Sequence, residues 1–143
     1  MTASPETPLL GHCACGNVRF EVTAPFRSAR YCHCHRCQHR TGTSCAANAE
    51  LDIAHFHFTA GEDRVSFWQP PDGQAKWYCL DCGGQLFSRP PGQAEVVFVR
   101  LGAIEGDPGI RPQYRQWVSS AATWEPIPDD GLPRFEEAGH AAR

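Results

Sequence analysis

Residues Tyr31 to Arg40 read YCHCHRCQHR and place Cys32, Cys34 and Cys37 within six positions. Residues two apart on an extended segment face the same side, so Cys32 and Cys34 point together and one turn brings Cys37 back to them. The result is a nest of three thiols. Two further pairs flank it in sequence, Cys13 and Cys15 in GHCACGN and Cys79 and Cys82 in YCLDCGGQ. Together these pairs supply the four ligands of a closed tetrahedral zinc site, whereas three ligands leave one coordination position open for chemistry. The spacing therefore predicts two Zn²⁺ per chain. Cys13, Cys15, Cys79 and Cys82 hold the structural one, and Cys32, Cys34 and Cys37 hold the open one.

Eight cysteines would also fit a secreted disulfide scaffold. The start, MTASPETPLL, has neither the basic region nor the apolar stretch of a signal peptide, and no later segment reads as a transmembrane helix. The expectation is a reduced, cytoplasmic protein whose cysteines bind metal. A chain of 143 residues fits one domain with a real core. Residues 1–9 read as a flexible arm, 10–135 as a single zinc-binding domain, and 136–143 as a tail.

The formal charge is −3, and seven thiolates set against two divalent cations change it by a further −3. That balance disfavours a general nucleic-acid binder. Against it stands one basic stretch, Arg27 to Arg40, with four arginines, three histidines and no acid over the three-cysteine nest. These side chains either offset the thiolates or offer a landing site for an anionic small molecule.

The remaining pattern is mostly β. Val18, Phe20 and Val22 alternate with polar residues as in a half-buried strand. Phe56 and Phe58, then Val65 and Phe67 beyond Gly61, read as a hairpin with His55 and His57 on one face as ordinary strand residues. QPPDGQ is a turn, after which Ala75, Trp77 and Cys79 alternate toward the CxxC, and QLFSR leads away, so the CxxC sits at a hairpin tip. Gly16 can supply a left-handed backbone at the first knuckle, and Gly83 and Gly84 relieve crowding beneath the second. Two following glycines do not suit the helix that a thioredoxin-like CxxC opens. EVVFVRLGAI, nearly apolar throughout, reads as a central strand, and the isolated Cys45 reads as a buried structural thiol. GxGxxG, GxxxxGK[ST] and GxSxG are absent, which leaves those nucleotide-binding modes and serine esterase chemistry without support.

The ordered set GHCACGNVRFEV, YCHCHRCQHRTG, WYCLDCGGQLF, VFVRLGAI and VSSAATWEPIPDDGLPRFEE resembles the glutathione-dependent formaldehyde-activating enzyme family, which includes proteins like centromere protein V. The resemblance covers roughly Leu10 to Phe135. It implies a mainly β, β-tent fold with the structural zinc on Cys13, Cys15, Cys79 and Cys82 and the active-site zinc on Cys32, Cys34 and Cys37. It also implies a carbon-sulfur lyase that forms or cleaves S-hydroxymethylglutathione from glutathione and formaldehyde. On that reading Arg36 and Arg40, helped by Arg30, attract the carboxylates of a glutathione-like thiol, and His35 is the candidate for proton transfer. The chain departs from the family at RPQYRQW, where Tyr114 and Arg115 stand in the place of a common histidine. A different small-molecule enzyme using the open zinc, or a nonenzymatic zinc module binding another macromolecule, would fit the same cysteines.

Overall fold

The structure, a computed structural model, describes residues 2–92 and 95–142. The first residue of the expected arm and the last of the expected tail lie outside these. Among the described residues, ten strands and one short α-helix run in the order β1 Leu9–His12, β2 Arg19–Val22, β3 Ser28–Cys32, α1 His35–Thr41, β4 Ala46–Asp52, β5 Phe56–Ala60, β6 Val65–Trp68, β7 Ala75–Cys79, β8 Gln85–Arg89, β9 Val96–Arg100 and β10 Arg115–Gln116.

The strands form a three-stranded sheet, β1-β2-β5, and a seven-stranded sheet, β10-β3-β4-β9-β8-β7-β6. The core lies between them. Phe20, Val22 and Phe56 from the small sheet meet Ala29, Ala49, Leu51, Phe87, Val97 and Val99 from the large one. Phe56 bridges the layers, stacked on Phe20 with centroids 4.7 Å apart and edge-on to Phe87 at 5.0 Å. Burying each such phenylalanine stabilises the packed state by about 1.5–3 kcal/mol. The alternation at Val18, Phe20 and Val22 thus faces inward as expected, with all three fully buried.

EVVFVR occupies the middle of the large sheet as β9, flanked by β4 and β8. β7 and β8 pair antiparallel across the CxxC, so Cys79 and Cys82 do sit at a hairpin tip. The hairpin expected from Phe56 to Phe67 is not formed. β5 pairs with β2 in the small sheet while β6 pairs with β7 at the edge of the large one. The alternation was real in both segments, but the turn after Gly61 carries the chain from one layer to the other.

At the amino terminus, Ser4 and Thr7 exchange backbone hydrogen bonds and Ala3 is buried. Leu9, assigned to the arm from sequence, already pairs with Val22. At the carboxy terminus the Trp117 amide donates to the Glu137 carbonyl and the Gly139 amide to Gln116 Oε1, so residues beyond Phe135 still engage the edge strand β10. Among the described residues no helix is long and apolar enough to cross a membrane.

Candidate functional site

The loop before β2 and the β7-β8 tip bring Cys13, Cys15, Cys79 and Cys82 together, with their sulfurs within 4.8 Å of one another. Cys13 Sγ lies 3.6 Å from Cys15 Sγ, and Cys15 Sγ lies 4.0 Å from Cys79 Sγ. A tetrahedron with metal-sulfur bonds of about 2.3 Å has edges of about 3.8 Å, so the donor set fits such an ion. Backbone amides reinforce it. Val18 N donates to Cys13 Sγ at 3.3 Å, Asp81 N to Cys79 Sγ at 3.4 Å and Gly84 N to Cys82 Sγ at 3.4 Å. Backbone hydrogen bonds at Cys15 and Gly84 lower the Cys82 thiol to about 6. The knuckle needs its glycines: Gly16 has φ +79°, and a Cβ on Gly84 would lie 2.9 Å from Ala14 N and 3.3 Å from Cys82 Sγ.

Cys32, Cys34 and Cys37 form the second group, again with sulfurs within 4.8 Å. Its local geometry differs from a simple turn. Cys32 ends β3, Cys34 caps α1, and Cys37 lies in the first helical turn, its amide donating to Cys34 Sγ at 3.3 Å. Contacts with the Cys32 and Cys37 thiols hold Cys34 well below the ordinary thiol range, while the same cluster pushes Cys37 up, Cys32 first. Three thiols this close are a suitable donor set for a cation, with an open side for a fourth ligand.

That open side is a cavity of about 420 Å³, within the range of small-molecule sites. Its floor is the outer face of the large sheet. Alternation sends Ala29, Ala49, Val97 and Val99 into the core and turns Arg30, Cys32, Asn48 and Arg100 the other way. Ladder register aligns Arg30 with Asn48 and Asn48 with Arg100, and Lys76 lies opposite Ser88 on the neighbouring strands. Arg100 donates to Asn48 Oδ1, to Ser88 Oγ at 2.8 Å and to Gln85 Oε1 at 3.2 Å. Arg30 stacks on Phe98 with its carbon 4.0 Å from the ring centroid. Arg36 stands at the rim, paired with Asp72 at 2.6 Å.

Trp117 closes the far wall and packs against the cluster of Cys32, Cys37 and Ala46. Its φ of 57° makes it the single non-glycine residue with positive φ among those described. A bulky side chain held in that region costs on the order of 1–3 kcal/mol and marks a position that the surroundings over-determine.

The sequence-derived candidates divide. Arg30 and Arg36 line the cavity with the three cysteines. Arg40 does not: its guanidinium lies over Tyr78, 5.7 Å from the centroid, facing a different cavity that also includes Cys45. His35 opens α1 on its exposed side and is not part of the cavity wall, because the residue after Cys34 projects away from the nest on a helix. Cys45 is half-buried rather than buried and belongs to neither thiol group.

Lys76, Arg100, Asn48, Ser88 and Trp117 were not singled out from sequence. Strand alternation puts Lys76 on the opposite face from Ala75 and Trp77, and the pairing of β7 with β8 sets it opposite Ser88 in the cavity floor. Tyr114 and Arg115 support the site from behind. Tyr114 is buried edge-on to Phe135, and Arg115 joins Asp130 at 2.8 Å, His33 at 3.1 Å and the Tyr31 ring at 4.3 Å.

Two layers of β-sheet carrying one closed and one open cysteine cluster define a small protein with two candidate metal centres. Residues 8–120 match the family described as glutathione-dependent formaldehyde-activating enzyme, and the chain belongs to that family. No curated protein matches it in sequence. Among solved structures it is similar to a Rhodobacter sphaeroides protein from a structural genomics programme, at 22% identity and a TM-score of 0.59 over 88% of this chain and 98% of that one. At that identity the likeness is one of fold.

Proposed function

We propose that this chain is a zinc-dependent carbon-sulfur lyase-like enzyme of the cytoplasm, built on a β-tent fold, that forms or cleaves S-hydroxymethylglutathione or a related thiol adduct. The observation that carries this reading is the placement of Cys32, Cys34 and Cys37 in the wall of a cation-lined cavity. Cys13, Cys15, Cys79 and Cys82, by contrast, join distant segments as a structural zinc site would. The family's description, naming glutathione and formaldehyde, supplies the substrate class.

Cys32, Cys34 and Cys37 would hold the zinc, which when bound would supply a site for a thiolate sulfur. Three thiolates leave such a centre with a net charge of −1, better suited to holding and releasing sulfur than to acidifying water. In the synthetic direction the thiol gives its proton to solvent, the substrate sulfur donates its electron pair to the aldehyde carbon, the carbonyl π pair moves to oxygen, and that oxygen takes a proton back from solvent. Cleavage is the reverse, with the hydroxyl proton leaving as the carbon-sulfur bond breaks. Arg30 and Arg36 favour an anionic ligand, and the Trp117 side chain narrows the access of water to the nest.

Isotope-exchange NMR between free formaldehyde and S-hydroxymethylglutathione, corrected for the spontaneous rate, tests the reading. Zinc-replete wild type is expected to exceed background and Cys34→Ala to fall to it. A folded, zinc-replete protein that adds nothing to the spontaneous exchange refutes this substrate, and full activity in Cys34→Ala refutes the site.

A further inference from the structure

Two cations on the cavity floor are buried without a carboxylate. Lys76 is 8% exposed, and its side chain has no hydrogen bond or ion pair among the described residues. Arg100 is also 8% exposed and bonds to the neutral side chains of Asn48, Ser88 and Gln85. Those three bonds occupy three of its five N–H groups, leaving two to donate. Burying a cation without a counter-ion is costly. It is a sensible arrangement where the anion arrives with the ligand.

The anions nearby do not balance this charge. Asp72 stands at the mouth, its side chain 77% exposed and already paired with Arg36. The cysteine nest, with a divalent cation bound, contributes a net −1 against Arg30, Lys76 and Arg100. Among the cavity residues a positive excess of two therefore remains beside the open sulfur position.

We infer that Lys76 and Arg100 form a subsite on the sheet floor that reads a carboxylate of the thiol substrate, beyond the contribution of Arg36 at the mouth. The inference rests on the thiol reading above and specifies it. Asn48 and Ser88 hold the Arg100 fork in place, and the ammonium of Lys76 supplies the point charge beside it. Lys76 thereby sets specificity and takes no part in bond making.

The test uses sulfur-capped probes, which separate carboxylate recognition from metal-sulfur chemistry. S-methylglutathione and its diethyl ester are titrated calorimetrically into zinc-replete wild type, Lys76→Met and Lys76→Arg. Wild type is expected to bind the diacid at least about ten-fold more tightly than the diester, as a charge-assisted bond to a buried cation implies. Lys76→Met should lose most of that preference and Lys76→Arg should keep it. A wild type that binds diacid and diester equally overturns the subsite even if Lys76→Met fails to fold, and so does a folded Lys76→Met with undiminished preference. In the exchange assay Lys76→Met should raise KM for glutathione with kcat little changed. If wild type shows the Lys76-dependent preference yet no exchange activity, the formaldehyde reaction is wrong while the subsite stands.

Discussion

Arg115 Nη1 lies 3.1 Å from His33 Nε2. A guanidinium only donates, so that ring nitrogen accepts and the imidazole is held neutral, its proton on Nδ1. The contact reaches from the edge strand β10 to the residue between Cys32 and Cys34, while Asp130 holds the other side of the guanidinium. The carboxy-terminal segment thus braces the backbone that carries two of the three nest cysteines.

Burial, reinforced by the charge of Arg115, lowers the pKa of His33 from 6.5, although a backbone hydrogen bond at Ser44 opposes it. A base with a depressed folded value leaves stability intact above its unfolded pKa and removes it as pH falls through the folded one. Stability is therefore expected to decline below pH 6.5. Nitrogen-15 NMR should find His33 neutral at that pH, and Arg115→Met should move its titration upward. A wild-type His33 that titrates at or above the ordinary value contradicts the arrangement.

Cys82→Ser and Cys34→Ala should each lower bound zinc by about one equivalent but differ in stability. The four-cysteine site ties the loop before β2 to the β7-β8 tip, and losing even a quarter of a folding-coupled affinity of about 12 kcal/mol removes about 3 kcal/mol. For a chain of this size that is a drop in Tm of about 6–12 °C. Cys34 lies within one continuous stretch, so Cys34→Ala should shift Tm by only a few degrees. Calorimetry with metal analysis on both variants decides the matter, and equal Tm losses would remove the distinction between the sites.

Gly84→Ala should destabilise by about 1–3 kcal/mol, since the added methyl meets the Ala14 backbone amide and the Cys13 and Cys82 side chains. Urea midpoints measured with and without added zinc would show it. An unchanged midpoint would mean that the knuckle relaxes freely.

Arg36→Ala should weaken glutathione binding, with an effect that shrinks as salt rises, because Arg36 stands partly exposed at the cavity mouth. Arg40→Ala should leave affinity unchanged within about two-fold, since its side chain lies over Tyr78 outside that cavity. Calorimetric titration across a salt series separates the two, and equal losses would place Arg40 at the ligand.

The grouping of the cysteines was legible in the sequence, because CxC, CxCxxC and CxxC spacings each confine their ligands locally and the two pairs outside the three-cysteine nest add up to the four ligands of one closed site. The sequence also determined the hairpin tip at Cys79 to Cys82 and the central position of Val96–Arg100, since turn residues and an unbroken apolar run are local signals. Tertiary structure alone decided what surrounds the nest. Lys76, Ser88, Arg100, Asn48 and Arg30 come from five strands and reach one floor through sheet register, which depends on pairings between distant segments. The same reason explains the separation of β5 from β6 and the exclusion of Arg40 and His35 from the cavity. Periodicity tells which side chains share a face of one strand, but only the packed sheets choose the neighbours that the face will meet.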